Sequence, residues 1–192
     1  MNKAELTQAI KDYLNRPTMA DSVVSLFIAN VEGELNRALS EHPRNIKRTT
    51  YTQAADTPLL PFPADLIQLI SLWTDRIPWR QYPPDTRGRI DRGWIARGMC
   101  AELFPVPTVD TQFRLDYHAA IKPLVQTVDD NWVSLYFPDV YLYGCLKEAA
   151  VYLKDDARLA AWTNEFMTRV GALVGQGWNQ NIATAPRLSS AC

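Results

Sequence analysis

The chain has 192 residues, with 20 basic against 21 acidic side chains and a net charge of -1. That length sets one or two domains, and an apolar share of 47% lets it bury a core without disulfide or metal staples. The charge balance excludes a protein that coats nucleic acid, which needs surplus Lys and Arg to displace counterions, and two histidines and three cysteines exclude a histidine-rich metal site and a cysteine-rich zinc module.

Leu6, Ile10, Tyr13 and Leu14 recur at helical spacing from Ala4 to Asn15, and Pro17 ends that helix. Val23, Val24, Phe27, Val31, Leu35 and Leu39 mark a second, longer helix. Thr18 or Asp21 can cap it, Glu32, Glu34, Arg37 and Glu41 sit off its stripe, and it ends before Pro43. Residues 45–53 are rich in Thr and read as a strand. Leu59 to Pro63 is too broken by proline for a central strand and suits a sheet edge. Leu66 to Trp73 is continuously apolar and reads as a buried strand. Ile77 to Trp94 reads as irregular, with one short helical turn. Short strands follow at Trp94–Arg97 and Met99–Phe104, joined near Gly98. Over 112–119, Phe113, Leu115 and Tyr117 alternate with Arg114, Asp116 and His118, the pattern of a half-buried strand.

The last third is helical again. Residues 131–137 form a short turn, and Pro138 opens a helix that is apolar almost all round up to Leu153, hence central and buried. Asp155 or Asp156 caps a final helix with a stripe of Leu159, Trp162, Phe166, Val170 and Leu173, ending at Gly175 and Gly177. The expected class is therefore α+β. Residues 1–44 and 123–176 make a helical bundle, 45–122 a β-rich insert (a small sheet or sandwich), and 177–192 a flexible tail. The tail is expected to order on a partner.

Catalytic signatures are missing from the sequence. His42 and His118 have no nucleophile-elbow pattern beside them and read as surface or capping residues. None of the eight glycines falls in a phosphate-loop spacing, and neither H-E-x-x-H nor C-x-x-C occurs. The acidic pairs Asp129–Asp130 and Asp155–Asp156 sit where helices begin, which favours Asp for capping. Cys100, Cys145 and Cys192 are too loosely spaced for a metal and read as reduced thiols. No enzyme activity, cofactor or metal is expected. Neither a secretory leader nor a membrane span is expected either.

Two basic clusters stand out. Arg44, Lys47 and Arg48 form the smaller. Arg76, Arg80, Arg87, Arg89, Arg92 and Arg97, interleaved with Trp79, Tyr82 and Trp94, form the larger. Arg and Trp dominate protein interfaces, so the candidate interface is Arg76, Trp79, Arg80, Tyr82, Arg87, Arg89, Arg92 and Trp94, joined by Trp178 and Arg187 near the end of the chain. The competing reading of segment 76–97 is a grip on a phosphate backbone, which would make the chain a cytosolic regulator associated with nucleic acid.

Asp139-Val-Tyr-Leu-Tyr-Gly-Cys-Leu-Lys-Glu-Ala-Ala-Val-Tyr-Leu-Lys-Asp-Asp156, followed by Trp162 and Phe166, resembles the C-terminal helices of tailed-bacteriophage head-to-tail adaptor proteins. Val31 to Arg37 resembles the second helix of that family. Tyr51 to Leu60, then Pro63-Ala64-Asp65-Leu66, resembles its hairpin and the step after it, with Phe62 where leucine is usual. The resemblance spans about residues 20 to 175. It implies a structural virion protein without catalytic residues, which forms a ring, commonly of twelve copies, under the portal protein. Such a ring extends the channel for double-stranded DNA and docks tail proteins (nozzle or tail tube). Its location would be the virion neck, and the host cytoplasm during assembly.

Overall fold

The computed structural model describes residues 1–86 and 91–184, those from 177 to 184 by their backbone. The chain divides into two compact units, Met1–Arg44 with Ile121 onward, and Asn45–Ala120.

The first unit is helical. Helix α1 (Lys3–Tyr13) starts in a capping box, in which the Asn2 side chain accepts the Glu5 N–H and the Glu5 carboxylate accepts the Asn2 N–H. Helix α2 (Asp21–Ala38) has Ala20 at its cap, with no side-chain hydrogen bond. Neither Thr18 nor Asp21 caps it; Asp21 is its first helical residue and pairs with Lys11 at 2.6 Å. Asn131, not the Asp129–Asp130 pair, caps the short α3 (Trp132–Tyr136) through a reciprocal bond with Ser134. Helix α4 (Pro138–Leu153) begins at its proline, and Lys154 ends it in the left-handed region. Helix α5 (Asp156–Thr184) has its N-terminus held by the Asp155 carboxylate, which accepts the Arg158 N–H.

One cluster fills this unit: Leu6 and Ile10 from α1, Phe27, Val31 and Leu35 from α2, Val140, Tyr141, Cys145 and Ala149 from α4, and Phe166, Val170 and Leu173 from α5. Gly144 is what lets α4 approach so closely. A Cβ there would lie 2.8 Å from a Val31 methyl carbon and 2.9 Å from the Phe166 ring.

Helix α5 corrects the expectation that it ends at Gly175 and Gly177. It runs through Gly175 and Gly177 to Thr184. An internal glycine costs a helix only about 1 kcal/mol, and propagation on existing turns absorbs that. No proline intervenes before Pro186. The rest of the expected tail, 185–192, lies outside the described residues.

The second unit holds two four-stranded sheets. The first has the order β1–β8–β3–β4, from β1 (Ile46–Gln53), β8 (Thr111–Ala119), β3 (Leu66–Thr74) and β4 (Ile77–Trp79). The second has the order β2–β7–β6–β5, from β2 (Leu59–Pro61), β7 (Cys100–Phe104), β6 (Gly93–Arg97) and β5 (Gln81–Tyr82). Pairing is antiparallel except between β5 and β6. Side chains from both sheets share one core, with Leu72, Trp79, Phe113, Leu115 and Tyr117 from the first meeting Leu60, Trp94, Ala101 and Leu103 from the second. This is sandwich packing, with the alternation along β8 feeding its inner face. The proline-bearing β2 sits at a sheet edge, as expected.

Two expectations change here. Segment 77–94 is not simply irregular; it supplies β4, β5 and a 3₁₀ turn at Pro84–Thr86. Strand β3 is not buried throughout. Its register slips twice against β8, at Leu66/Gln68 and Leu69/Ser71. Each slip adds an unpaired residue, and those residues, Ile67 and Ile70, are exposed.

Candidate interface surfaces

Segment 76–97 splits into buried and exposed parts. Trp79 is in the sandwich core, where its indole N–H donates to Thr74 Oγ1 at 2.8 Å and its ring meets Phe113 edge-on at 5.2 Å. Trp94 is buried beside Phe62, ring to ring at 5.8 Å. Both tryptophans therefore leave the candidate surface, because a large ring on the inward parity of a strand is worth most in the core. Arg76, Arg80 and Arg92 are exposed. Arg80 lies over the half-buried Tyr82 ring at 5.9 Å. Gly93 leaves room for that pair, since a Cβ there would come within 2.4 Å of the Arg80 carbonyl oxygen. Arg97 pairs with Glu102 at 2.8 Å. Arg87, Arg89 and Arg187 lie outside the described residues, and Trp178 falls in the stretch of α5 described by its backbone.

The outward face of the first sheet carries a polar ladder. Arg48 on β1 stands opposite Asp116 on β8 and donates to it at 2.6 Å, while Ser71 on β3 donates to the other carboxylate oxygen at 3.2 Å. The Arg48 bond holds the Asp116 carboxyl below the ordinary carboxylate range. One register step along, Arg114 covers the Trp73 ring at 5.3 Å. On the other parity, Asp65 accepts from Lys47 at 2.7 Å and from the Tyr117 hydroxyl at 3.0 Å. Burial, with Asp65 beside it, pushes the Tyr117 phenol up to about 12.

Inside the helical unit a buried network holds the returning chain. Glu32 on α2 accepts the Leu124 N–H at 2.7 Å, and Asn36 accepts the Ile121 N–H at 2.8 Å. Asn131 donates to the Lys122 carbonyl and to the fully buried Tyr141 hydroxyl, at 2.9 and 2.8 Å, and that hydroxyl faces Glu32 at 3.5 Å. Burial raises the Glu32 carboxyl, against the lowering effect of its hydrogen bonds. The loop that follows is closed by Asp129, whose carboxylate accepts the N–H groups of Val125 and Gln126 and the Lys122 ammonium. Backbone bonds from Lys3 to Asp129 and from Ala4 to Thr127 tie it to α1.

His42 is not a surface residue. It is buried, stacks on Trp132 at 4.9 Å and accepts the Arg44 N–H on Nδ1. Burial holds its pKa below the ordinary value. Arg44 in turn covers the rings of Trp132, Tyr136 and Phe137. His118 lies outward on β8, with a buried Nδ1 that has no hydrogen-bond partner. Cys145 is fully buried and its thiol is pushed up by that burial, so it is inert packing.

Among the described residues, no His, Cys, Asp and Glu side chains group to hold a metal, and no helix is long and apolar enough to cross a membrane. What these residues do offer is exposed apolar side chains. In the helical unit these include Leu26, Val125, Val128, Leu135, Tyr136, Tyr152 and Met167, and in the sandwich Ile46, Ile67, Ile70 and Ile77. Residues 1–188 match the family described as SU10 adaptor protein. The chain belongs to that family of phage head-to-tail adaptors. No curated protein matches the chain.

Sequence reasoning about the adaptor missed the Glu32–Tyr141–Asn131 network, the Arg48–Asp116–Ser71 ladder and the burial of His42. The first had one local signal, the Asn-x-x-Ser spacing of Asn131 and Ser134, which is a helix-start pattern. The ladder joins residues 68 apart and had none.

Proposed function

We propose that this adaptor is a non-catalytic subunit of the virion neck. Copies of it form a ring beneath the portal protein, extend the passage for double-stranded DNA, and present a docking surface to tail proteins. The observation that carries this reading is the family match over nearly the whole chain. Two features support it. Exposed apolar side chains sit on both compact units, and a ring subunit needs two different adhesive faces. The net charge of -1 suits a channel wall that DNA slides past and does not grip. The exposed Arg76, Arg80 and Arg92 remain candidate contacts of that docking surface.

A regulator that binds nucleic acid through segment 76–97 loses two of its three stacking aromatics, since Trp79 and Trp94 are buried and Tyr82 is half-buried. Mass photometry of the purified chain with and without the portal protein of the same phage tests the proposal. A multi-copy complex on the portal is expected, together with no binding of duplex DNA at physiological salt. Tight, steeply salt-dependent DNA binding with no portal complex would overturn it.

A further inference from the structure

The loop between Leu124 and Asn131 places two apolar side chains in solvent on a braced backbone. Val125 is 66% exposed and Val128 74% exposed. Exposed valines on a mobile loop would mean little. These are held by the Asp129 carboxylate, by the backbone bonds to Lys3 and Ala4, and by Leu124, which is buried beneath them. The ordering entropy of binding is largely met in advance. Asp130, next to them, is exposed and has no cation paired with it among the described residues.

Elsewhere in the same unit, α2 and α5 leave a groove of about 480 Å³. Its apolar lining comes from Ala38, Phe166, Met167 and Val170, and Met167 is 61% exposed. Arg37 stands on its wall, exposed and without a carboxylate partner among the described residues. An exposed apolar pair beside a free carboxylate thus complements, in apolar character and in charge, an apolar groove beside a free guanidinium.

Their placement on α2 shows how the match would be used. The chain leading into the loop is held by Asn36 at Ile121 and by Glu32 at Leu124. The groove is walled by Glu34, Arg37 and Ala38. At 3.6 residues per turn, these two sets lie about 170° apart around the helix axis. A loop and a groove on opposite faces of one helix cannot satisfy each other within a chain. Between copies they make a heterologous contact that passes from one subunit to the next, the type that builds rings rather than closed dimers.

We propose that the Val125–Asp130 loop of one subunit seats in the α2/α5 groove of its neighbour, with Asp130 against Arg37. The occupant of the groove is a second copy of this chain. The inference rests on the ring reading above and assigns that ring one of its contacts.

The test uses the full chain with Cys100 and Cys192 changed to serine, Cys145 being buried and inert. Val128→Cys and Met167→Cys are introduced together and singly, and the protein is oxidised with and without portal. The double variant is expected to give a ladder of disulfide-linked species beyond the dimer, and neither single variant to do so. Arg37→Asp or Asp130→Arg alone should lower the oligomer fraction at least tenfold, and the charge-swapped double variant should restore most of it. Oligomers without a ladder, or without rescue by the swap, would overturn this contact and leave the ring reading intact. A chain that stays monomeric both alone and on portal would overturn both.

Discussion

Adding one methyl group at two helical glycines should change stability in opposite directions. At Gly171, on the exposed side of α5, an added Cβ meets nothing within 4 Å. Gly171→Ala therefore receives the full helix-propensity gain, about 1 kcal/mol. At Gly144 the same Cβ would lie 2.8 and 2.9 Å from the two Val31 methyl carbons and 2.9 Å from the Phe166 ring. Val31 and Phe166 are both in the core, so neither can swing into solvent. Overpacking of this kind costs about 1–3 kcal/mol, and the propensity gain offsets about 1 kcal/mol of it. The expected result is a net loss of up to about 2 kcal/mol for Gly144→Ala and a gain of up to about 1 kcal/mol for Gly171→Ala. Urea unfolding followed by circular dichroism at the helix band reads both, since the two sites share one helical unit. In heating scans the two variants should separate by several degrees, at about 2–4 °C per kcal/mol for a chain of this size. If Gly144→Ala gained as much as Gly171→Ala, the close packing of α4 against α2 and α5 would be refuted.

Three further outcomes follow from the two units. Tyr141→Phe should cost about 1–3 kcal/mol by orphaning one amide hydrogen of Asn131 in a buried site, while Tyr143→Phe, whose ring keeps its Arg169 contact, should stay within about 0.5 kcal/mol in the same unfolding assay. Trp79→Ala and Trp94→Ala should each cost about 3–5 kcal/mol, as core aromatics do, whereas Arg80→Ala, at an exposed site, should change urea midpoints little. The Asp116 carboxyl is held below its unfolded value, so the stability it contributes is present above the unfolded carboxylate pKa of about 3.9 and is lost as pH falls through the folded value. Asp116→Asn should therefore flatten the acid limb of the stability–pH curve of the sandwich, and an unchanged limb would count against the Arg48 bond.

The legible parts of the fold were those with a clean local period. The alternation along β8 marks Phe113, Leu115 and Tyr117 as one face, which is the inner one, and the all-round apolar pattern of α4 marks it as central. Period fails where an element is too short to repeat, as in the three-residue β4 and two-residue β5. It also fails where a helix crosses glycines without needing them, as α5 does. The candidate surface was harder. Interleaved Arg and Trp look alike whether the tryptophans face a partner or a second sheet, and only the pairing of β4 and β6 with their neighbours settles that Trp79 and Trp94 point inward. Glu32 sits off the apolar stripe of α2. It is in fact the acceptor that fixes a chain segment 92 residues away, a role no local pattern encodes.

The central claim is that this chain is a ring-forming subunit at the junction of head and tail. Cryo-electron microscopy of the neck of the intact virion tests it most directly. The account predicts density for multiple copies of this two-unit fold in a closed ring around the DNA channel, between portal and tail. A neck in which that position is filled by another protein, or in which this chain occurs as a single peripheral copy, would contradict it.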